Sequence, residues 1–386
     1  MSRKLASIVE IASCDPIPDT DRLSVAKMVG KGWQVICGRD EFHTGQLCVY
    51  FEIDSALNPD DERYAFLRER CLRKFTSKSG NVVYQVLRIK SIKLRGVVSQ
   101  GLLMPLDKFP EITDNIVWNE EKQSDEWIDG SWLIGKDVTD LLHVEHYDEV
   151  WERMQPVLGN PVSADVMGSF PALIPRTDEE RLQNLGDWFQ LMKGRLWQVS
   201  VKHDGTSCTI AYAPSIDPSC PEIVCGRNKR FKPISNDGQI SIYWQMANKF
   251  KIHEKLKQMG AKEGSPFVEL AIQGEIVGPG IQKDRNKEKE HTFKCFRIWN
   301  ITDQKWLSPA VTESLCKKYD IPHVEILERN YPFFDKITTI EEALKFAEGK
   351  TAEGNEREGI VCKTNDAGEY TSFKVVSNRY LLKCED

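Results

Sequence analysis

The sequence lacks any run of about eighteen apolar residues, the length that a membrane-spanning helix requires. Its start, Met1 to Glu10, contains only a short apolar stretch that a carboxylate ends, so we expect neither a membrane segment nor a signal peptide. Hydrophobic residues make up 40% of the 386 residues and charged residues 28%. This composition and length instead predict two soluble domains with ordinary hydrophobic cores.

Paired cysteine motifs are also missing. The eleven cysteines are scattered, and no Cys-x-x-Cys pair occurs among them. This pattern argues against both a disulfide framework and a zinc finger. Scattered thiols that act as small hydrophobic residues predict an intracellular protein in a reducing compartment, either the cytoplasm or the nucleus.

An overall excess of positive charge is absent too, since the net charge is −6. A protein held to nucleic acid mainly by bulk charge is normally basic, so any such contact must be local. Residues 68–95 are the candidate, because they hold nine lysines and arginines against one acid, Glu69. These nine are Arg68, Arg70, Arg73, Lys74, Lys78, Arg88, Lys90, Lys93 and Arg95.

The last four of these basic residues alternate with apolar ones. Arg88 and Lys90 alternate with Leu87 and Ile89, and the alternation resumes after Ser91 with its phase shifted by one residue. A shifted phase is typical of a β-bulge, so we predict one curved strand with a basic outward face.

Short strand-like runs separated by glycines fill the first part of the chain. They predict a small closed β-barrel, for which an OB-fold is one of several possibilities. Four prolines and two glycines between residues 155 and 175 place the domain boundary there, giving domains 1–155 and 156–386. Strands and helices mix in the second domain without strict alternation, which predicts an α+β fold.

Three helices are predicted from local signals in the second domain. Thr177 with Glu180, and Thr339 with Glu342, have the spacing of capping boxes. The first would begin a helix with an apolar face of Leu182, Leu185, Phe189 and Met192. Residues 241–259 read as one further continuous helix that Gly260 stops.

The sharpest chemical signal is Lys202-His203-Asp204-Gly205, directly after the predicted strand 196–201. A lysine amine is a nucleophile only when it is uncharged, which needs desolvation or a neighbouring cation. The glycine would let the chain turn tightly beside a ligand phosphate. A surface lysine before a hairpin turn would have the same sequence, so the motif alone leaves both interpretations open.

Other motifs follow in a fixed order. They are Cys225-Gly226-Arg227-Asn228, Gly274-Glu275-Ile276-Val277-Gly278, Phe293-Lys294-Cys295-Phe296, Glu358-Gly359-Ile360-Val361-Cys362-Lys363 and Phe373-Lys374-Val375-Val376. This ordered set, over roughly residues 195–380, resembles the covalent nucleotidyltransferase superfamily of ligases and capping enzymes. Taken singly, each residue has a simpler explanation: strand-end glutamates are usually solvated, and Phe296 could be a core residue.

The resemblance implies a role for each residue. Lys202 would carry the nucleotide, with Asp204 and Gly205 beside it. Glu358 would act on the metal side, where two carboxylates and phosphate oxygens suit Mg²⁺ or Mn²⁺, while Glu275 would bind the metal or the ribose. The remaining nucleotide contacts would come from Val201, Arg227, Asn228, Phe296, Lys363 and Lys374. One departure is Val376, which occupies a position where the superfamily often has a second lysine.

Within the superfamily, the barrel-like region before the core resembles one group of ATP-dependent RNA ligases with an N-terminal OB-type domain. This resemblance implies ATP, a lysyl-AMP intermediate and RNA with 3′-hydroxyl and 5′-phosphate ends, such as a nick in a duplex. No obligate protein partner is implied. The basic residues Arg88, Lys90, Lys93 and Arg95 would track the RNA backbone.

Two other functions remain compatible with the sequence. A GTP-using capping enzyme would share the motifs, although it normally carries an OB domain after the last lysine motif. A non-catalytic RNA-binding protein with a decayed core would share the basic stretch, but retention of Lys202, Glu275 and Glu358 argues against decay.

Overall fold

A computed structural model of the chain describes residues 4–77, 79–112, 131–157, 165–261, 267–282, 288–364 and 371–384. The chain forms two compact units, one of Met1–Val162 with Leu381–Asp386 and one of Ser163–Tyr380. The boundary predicted at 155/156 falls in the last turn of a helix, Tyr147–Val157, and Gly159 and Pro161 lie outside the described residues. Among the helices described, none is long and apolar enough to cross a membrane.

The first unit is built mainly from short strands. Its strands are β1 (Ala6–Pro16), β2 (Leu23–Met28), β3 (Gln34–Gly38), β4 (Leu47–Phe51), β5 (Ser55–Leu57), β6 (Leu72–Thr76), β7 (Val82–Arg88), β8 (Ser91–Leu94), β9 (Val97–Gln100), β10 (Leu102–Pro105) and β11 (Glu145–His146). Its helices are α1 (Arg68–Cys71) and α2 (Tyr147–Val157), with 3-10 turns at Glu62–Leu67, Leu106–Lys108 and Ser131–Leu133.

A curled sheet in the order β10-β4-β1-β2-β3 forms a barrel in this unit. The β8–β9 hairpin is a separate two-stranded sheet that lies against β3, where the Gln34 side-chain amide donates to the carbonyl of Val98 at 2.8 Å and the Ile36 backbone amide donates to the Ser99 hydroxyl at 2.9 Å. β9 then runs through Gly101 into β10, so the strands close on themselves. Gly101 has φ +108°, and a Cβ there would lie 2.4 Å from the Tyr50 ring.

The basic stretch does not form the single bulged strand that the sequence predicts. Arg88 ends β7, which belongs to a separate four-stranded sheet of order β11-β5-β7-β6. Ser91 begins β8, which pairs only with β9 in the described residues. The change of phase therefore marks the point where the chain leaves one sheet and enters another.

The second unit mixes strands and helices, as the sequence predicts. Its strands are β12 (Val166–Ser169), β13 (Glu180–Arg181), β14 (Trp197–Lys202), β15 (Thr206–Tyr212), β16 (Glu222–Cys225), β17 (Lys229–Phe231), β18 (Leu270–Val277), β19 (Thr292–Asn300), β20 (Lys305–Trp306), β21 (Ile326–Tyr331), β22 (Gly359–Thr364) and β23 (Ser372–Val376). Its helices are α3 (Trp188–Leu191), α4 (Ile242–Lys249), α5 (Ile252–Gly260), α6 (Pro309–Lys318), α7 (Phe333–Lys336), α8 (Ile340–Ala347) and the first residues of α9 (Asn378–Cys384), with a 3-10 turn at Leu182–Asn184.

Two sheets of the second unit each bury one apolar face. The seven-stranded sheet has the order β12-β17-β16-β15-β18-β19-β20, and Ile210, Ile272 and Phe293 pack against α4 and α5. The five-stranded sheet has the order β13-β23-β22-β14-β21, and Trp197 and Phe373 lie in the cluster that α7 and α8 cover. Because side chains alternate along strands, the opposite faces of β14, β18, β22 and β23 carry the polar residues of the motifs.

One short segment joins the two sheets. The backbone amide of Cys295, on β19, donates to the carbonyl of Pro322 at 2.8 Å, and the amide of Val324 donates back to the carbonyl of Cys295 at 2.9 Å. The amide of Val201, on β14, donates to the carbonyl of Glu325 at 2.9 Å. These backbone bonds fix the position of β14 relative to β19.

Two of the three helix predictions are wrong in detail. The capping box at Thr177 starts no helix, because Glu180–Arg181 is a short strand parallel to β23. The predicted helix 241–259 is broken into α4 and α5 by Lys251, whose φ is +50°. The capping box at Thr339 is confirmed, since the Thr339 hydroxyl accepts from the amide of Glu342 at 3.1 Å.

Candidate active site

Lys202 is the last residue of β14 and lies on the polar face of the five-stranded sheet. Its Nζ donates to both carboxylate oxygens of Glu358, each at 2.7 Å. The position follows from strand register, since Lys202 pairs with Gly359, directly after Glu358. The side chains are only 25% and 14% exposed, so the ion pair is largely shielded from water.

Two further carboxylates surround this lysine. Burial acts to lower the pKa of Lys202, but the charge and hydrogen bonds of Glu358, with the charge of Asp204, outweigh it and raise the pKa above its ordinary value. Burial, with Glu358 and Asp204 nearby, raises the pKa of Glu275 to about 8 against the opposing effect of Lys202. The lysine is therefore an ammonium at neutral pH, while Glu275 keeps a proton.

Gly205 allows the lysine loop to lie directly against β18. A Cβ at this position would lie 2.3 Å from the carbonyl oxygen of Ile276 and 2.8 Å from Cγ of Glu275. The glycine is needed for close approach of two backbones, whereas the sequence suggested a tight turn. Asp204 is held from the other side, because the Tyr380 hydroxyl donates to its Oδ2 at 2.8 Å.

The donor set near Lys202 suits a divalent cation that binds together with a nucleotide. In the described parts of the chain, no three His, Cys, Asp or Glu side chains are close enough to hold a metal ion by themselves. Mg²⁺ typically keeps several waters and takes one or two carboxylates plus substrate phosphates. Glu275 and Glu358 supply two carboxylates, so the residues fit such an ion.

A group of cations lies beside this carboxylate site: Lys374 on β23, Arg181 at the end of β13, and Arg227 between β16 and β17. Lys374 donates to Oδ1 of Asp178 at 2.8 Å, and Arg227 contacts Oδ2 of the same carboxylate at 3.4 Å. Burial lowers the pKa of Lys374, and the nearby charges of Arg181 and Lys202 add to this effect. Two predicted phosphate or ribose contacts, Lys374 and Arg227, thus converge on one acid.

Three residues of this site were missed by the motif analysis: Asp178, Arg181 and Tyr380. Arg181 pairs with Lys374 in the parallel register of β13 and β23. The charged run 176–181 contains the sequence signal for Asp178 and Arg181, but its spacing favours the start of a helix. Tyr380 lies beyond the last motif and had no distinguishing neighbour.

Phe296 is positioned by a β-bulge. Gln273 pairs with Arg297 and Gly274 pairs with Cys295, so Phe296 is the extra residue on β19. The residue is half-buried, and a bulge re-aims a side chain that regular alternation would otherwise place. This geometry is compatible with a platform for a purine base.

Lys363 is not brought to Lys202. It pairs with Gln198, four residues before the lysine, which corresponds to about 13 Å along the strand. Its side chain is buried, lies 5.2 Å from the centre of the Phe296 ring and donates to the Phe296 carbonyl. Burial, with Arg297 nearby, lowers the pKa of Lys363 to about 7. Lys363 therefore supports Phe296 rather than joining the cations at Lys374.

The two remaining predicted nucleotide contacts of this unit, Val201 and Asn228, form backbone hydrogen bonds to neighbouring segments. The amide of Val201 is used in the bond to Glu325, as described above, and its side chain is buried. Asn228 follows Arg227, and its carbonyl accepts from the amide of Phe170 at 3.0 Å.

The four predicted RNA-binding residues lie in the first unit, and of these only Lys93 and Arg95 are exposed. Arg88 forms an ion pair with Asp54 at 2.7 Å and lies 4.2 Å over the Tyr147 ring, so its guanidinium is used within the unit. Lys93 is exposed on β8, and Arg95 lies in the hairpin turn with φ +52°. Lys90 is half-buried between the two strands, and Lys78 lies outside the described residues.

Comparisons with known proteins agree on the kind of protein. A family model of RNA ligases matches residues 195–376, and a model of an OB-fold domain matches residues 5–106. The predicted barrel of the first unit is therefore an OB-fold. A search of curated protein sequences gave no match.

Solved structures of an RNA ligase from Naegleria gruberi are similar over the whole chain. The structure of that ligase with PPi is 30% identical, covers 100% of both chains and has a TM-score of 0.77. A single-residue variant with AMP and Mn is 30% identical with 99% coverage of each chain and a TM-score of 0.77. Another variant, with ATP and Mn, is 29% identical, covers 98% of this chain and 99% of that chain, and has a TM-score of 0.76. With this identity over its full length and a matching family model, the chain belongs to the RNA ligase family.

Proposed function

We propose that this protein is an ATP-dependent RNA ligase that joins a 3′-hydroxyl to a 5′-phosphate through lysyl-AMP on Lys202. The observation that carries the proposal is the convergence of Glu358, Glu275 and Asp204 on the amine of Lys202, beside the cations Lys374 and Arg227. A nucleophile, carboxylates for a cation and positive side chains for phosphates are the parts that nucleotidyl transfer needs.

In the first step, Nζ of Lys202 attacks the α-phosphorus of ATP. A nitrogen–phosphorus bond forms, the bond from that phosphorus to the bridging oxygen breaks, and pyrophosphate leaves. The amine must first lose its proton, and Glu358 is placed to take it at 2.7 Å. Glu275 and Glu358, together with the nucleotide phosphates, would hold a divalent cation, whose positive charge would favour the neutral amine.

Other side chains position the nucleotide during this step. Phe296, re-aimed by its bulge, stacks on the adenine, and Lys363 holds that part of β19 in place through the Phe296 carbonyl. Lys374 and Arg227 neutralise charge on the phosphates. The position of Val376 then needs no second lysine, because Arg181 brings a cation beside Lys374 from the neighbouring strand.

The next two steps act on RNA. An oxygen of the RNA 5′-phosphate attacks the lysyl-AMP phosphorus, the nitrogen–phosphorus bond breaks, and Nζ regains a proton. The RNA 3′-hydroxyl then attacks the activated 5′-phosphate, loses its proton and displaces AMP. A nick in an RNA duplex is the substrate we propose, because it presents both ends side by side. No partner protein is needed for these steps.

The test is the intact mass of the protein after incubation with Mg²⁺ or Mn²⁺ and either ATP or GTP. We expect the mass of one AMP to be added with ATP, and none with GTP. Lys202→Ala should remove the adduct, whereas Lys193→Ala, a change at an exposed lysine outside the site, should retain it.

The other outcomes separate the alternatives. A GMP adduct would support the capping-type activity, and no adduct with either nucleotide would support a non-catalytic RNA-binding protein. The protein should first be treated with pyrophosphate and a divalent ion, since bound AMP from expression would mask the reaction. A nicked RNA duplex with 3′-hydroxyl and 5′-phosphate ends should then be sealed, and a duplex with a 5′-hydroxyl should not.

A further inference from the structure

Asp178 lies outside all of the sequence motifs, but it contacts residues of two of them. Its two carboxylate oxygens contact two different cations, Lys374 at 2.8 Å and Arg227 at 3.4 Å. The lysine side chain is 19% exposed, whereas Asp178 and Arg227 are 54% and 56% exposed. One acid therefore bridges a largely buried cation and a surface cation at the nucleotide site.

The backbone on either side of Asp178 is fixed by other bonds. The next residue, Glu179, forms a largely buried ion pair with Arg297 at 2.8 Å. Arg181 is held in parallel register with Lys374. Asp178 is thus presented to the two cations by a strand edge, while its own side chain remains accessible to solvent and to a ligand.

An exposed ion pair of this kind contributes little to stability, typically 0–1 kcal/mol. The location of this ion pair is more informative than its contribution to stability. Burial lowers the pKa of Lys374 and the charge of Asp178 opposes this effect, while Arg181 and Lys202 are close enough to add to it, so Lys374 has two other cations as neighbours. A carboxylate with two oxygens can take the place of two phosphate oxygens.

We propose that Asp178 is an internal competitor that holds Lys374 and Arg227 in the absence of nucleotide and is displaced by a phosphate of ATP. This inference rests on the proposed function, and it assigns Asp178 a role in setting nucleotide affinity. Only molecules in which Asp178 has released the cations can bind the phosphate, so the apparent affinity is the intrinsic affinity multiplied by the fraction of such molecules. Removing the negative charge should therefore strengthen binding of phosphate-bearing ligands alone.

The experiment compares Asp178→Asn with Asp187→Asn in the full chain. Asp187 is an exposed acid nine residues further on, whose side chain makes no capping hydrogen bond to α3, so the control has the same change of net charge. The ligands are an ATP analogue with a methylene bridge between its α- and β-phosphates, pyrophosphate, and adenosine. Binding is measured by calorimetry, with Mg²⁺ and with a chelator.

We expect Asp178→Asn to lower the Kd of the analogue and of pyrophosphate by about two- to tenfold, the range that one or two exposed ion pairs provide. Adenosine, which has no phosphate, should bind Asp178→Asn and the wild type equally. Asp187→Asn should match the wild type for all three ligands.

Three results would overturn the inference. Unchanged or weaker binding of the analogue to Asp178→Asn would mean that Asp178 does not compete. An equal gain for adenosine would mean that the substitution acts on the conformation of the site. If the wild type neither bound the analogue nor formed an AMP adduct, the proposed function would fail together with this inference, whereas normal adduct formation with no change in affinity removes the inference alone.

Discussion

Burial raises the pKa of Glu275 enough to make the stability of the folded chain depend on pH. Its pKa in the folded state is about 8, against 4.5 as the ordinary value, so the folded chain binds more protons than the unfolded chain between these pH values. Stability falls with rising pH wherever the folded state binds more protons. The contribution of Glu275 should therefore decrease the free energy of unfolding from about pH 4.5 to 8.

Glu275→Gln removes this titration without removing the side chain. We expect the difference in unfolding temperature, wild type minus variant, to become more negative as pH rises from 5 to about 8. The measurement is calorimetry without metal and nucleotide, and other titrating groups cancel in the difference. A pH-independent difference would contradict the raised pKa.

Individual residues were predictable to the extent that they lie in motifs. Lys202, Glu275 and Glu358 come from three separate segments, and strand pairing brings them together as the ordered motifs imply. Asp178 and Arg181 have no motif, because their partners lie almost two hundred residues away on β23. Arg88 counted as a surface cation in the sequence, but its partner Asp54 could be recognised only from the folded sheet.

At the level of elements, the contact between the lysine loop and β18 depends on Gly205. Gly205→Ala would put a Cβ 2.3 Å from the carbonyl of Ile276, so one of the two segments must move and Lys202 with it. We expect lysyl-AMP formation to fall by about a hundredfold, since displacements of about 1 Å have effects of that order. The measurement is the single-turnover rate of AMP transfer.

The control is Gly168→Ala on β12, where an added Cβ has no neighbour within 4 Å in the described residues. This variant should adenylylate at the wild-type rate. A normal rate in Gly205→Ala would show that the close approach is not required for the reaction.

The break between α4 and α5 provides a second prediction for elements. Lys251 has φ +50°, a conformation that costs a non-glycine residue about 1–2 kcal/mol. Lys251→Gly should raise the free energy of unfolding by about 0.5–1 kcal/mol, because glycine adopts this conformation without strain. Gln258→Gly, at an exposed position inside α5, should instead lower it by about 1 kcal/mol. Denaturant midpoints of the two variants check both signs.

Local helix signals failed where long-range pairing was stronger. The box of Thr177 and Glu180 has the correct spacing, yet Asp178, Glu179 and Arg181 all have partners on other strands when the segment is extended. At Thr339 the same signal starts α8, and Glu342 accepts from the amide and hydroxyl of Thr338 within the same segment. The sequence could show the capping residues but not which pairing would prevail.

At the level of the whole molecule, the two units carry different kinds of side chain. The residues that we propose to bind the nucleotide all belong to Ser163–Tyr380, and the exposed cations Lys93 and Arg95 belong to the OB-fold unit. If the OB-fold unit binds the RNA backbone, Lys93→Glu with Arg95→Glu should weaken sealing of nicked RNA by about tenfold or more. Sealing by this variant should also decline less steeply with rising salt concentration than sealing by the wild type. Lysyl-AMP formation should be unchanged.

Two comparisons make this prediction specific. Lys108→Glu, at an exposed lysine of the same unit, tests whether net charge alone is responsible and should seal normally. Arg88→Glu is unsuitable, because it would leave Asp54 without its partner. If the hairpin variants also lost lysyl-AMP formation, the two units would not have separate roles.

The ion pair between Lys202 and Glu358 also affects what the protein does between reactions. An ammonium has no free electron pair, so Lys202 paired with Glu358 cannot attack the aldehydes and acyl donors that modify accessible amines. In the proposed mechanism this residue carries AMP in every cycle, so the carboxylate that must later release it also protects it from irreversible chemical damage. A nucleophile held in this way stays inert until its nucleotide arrives.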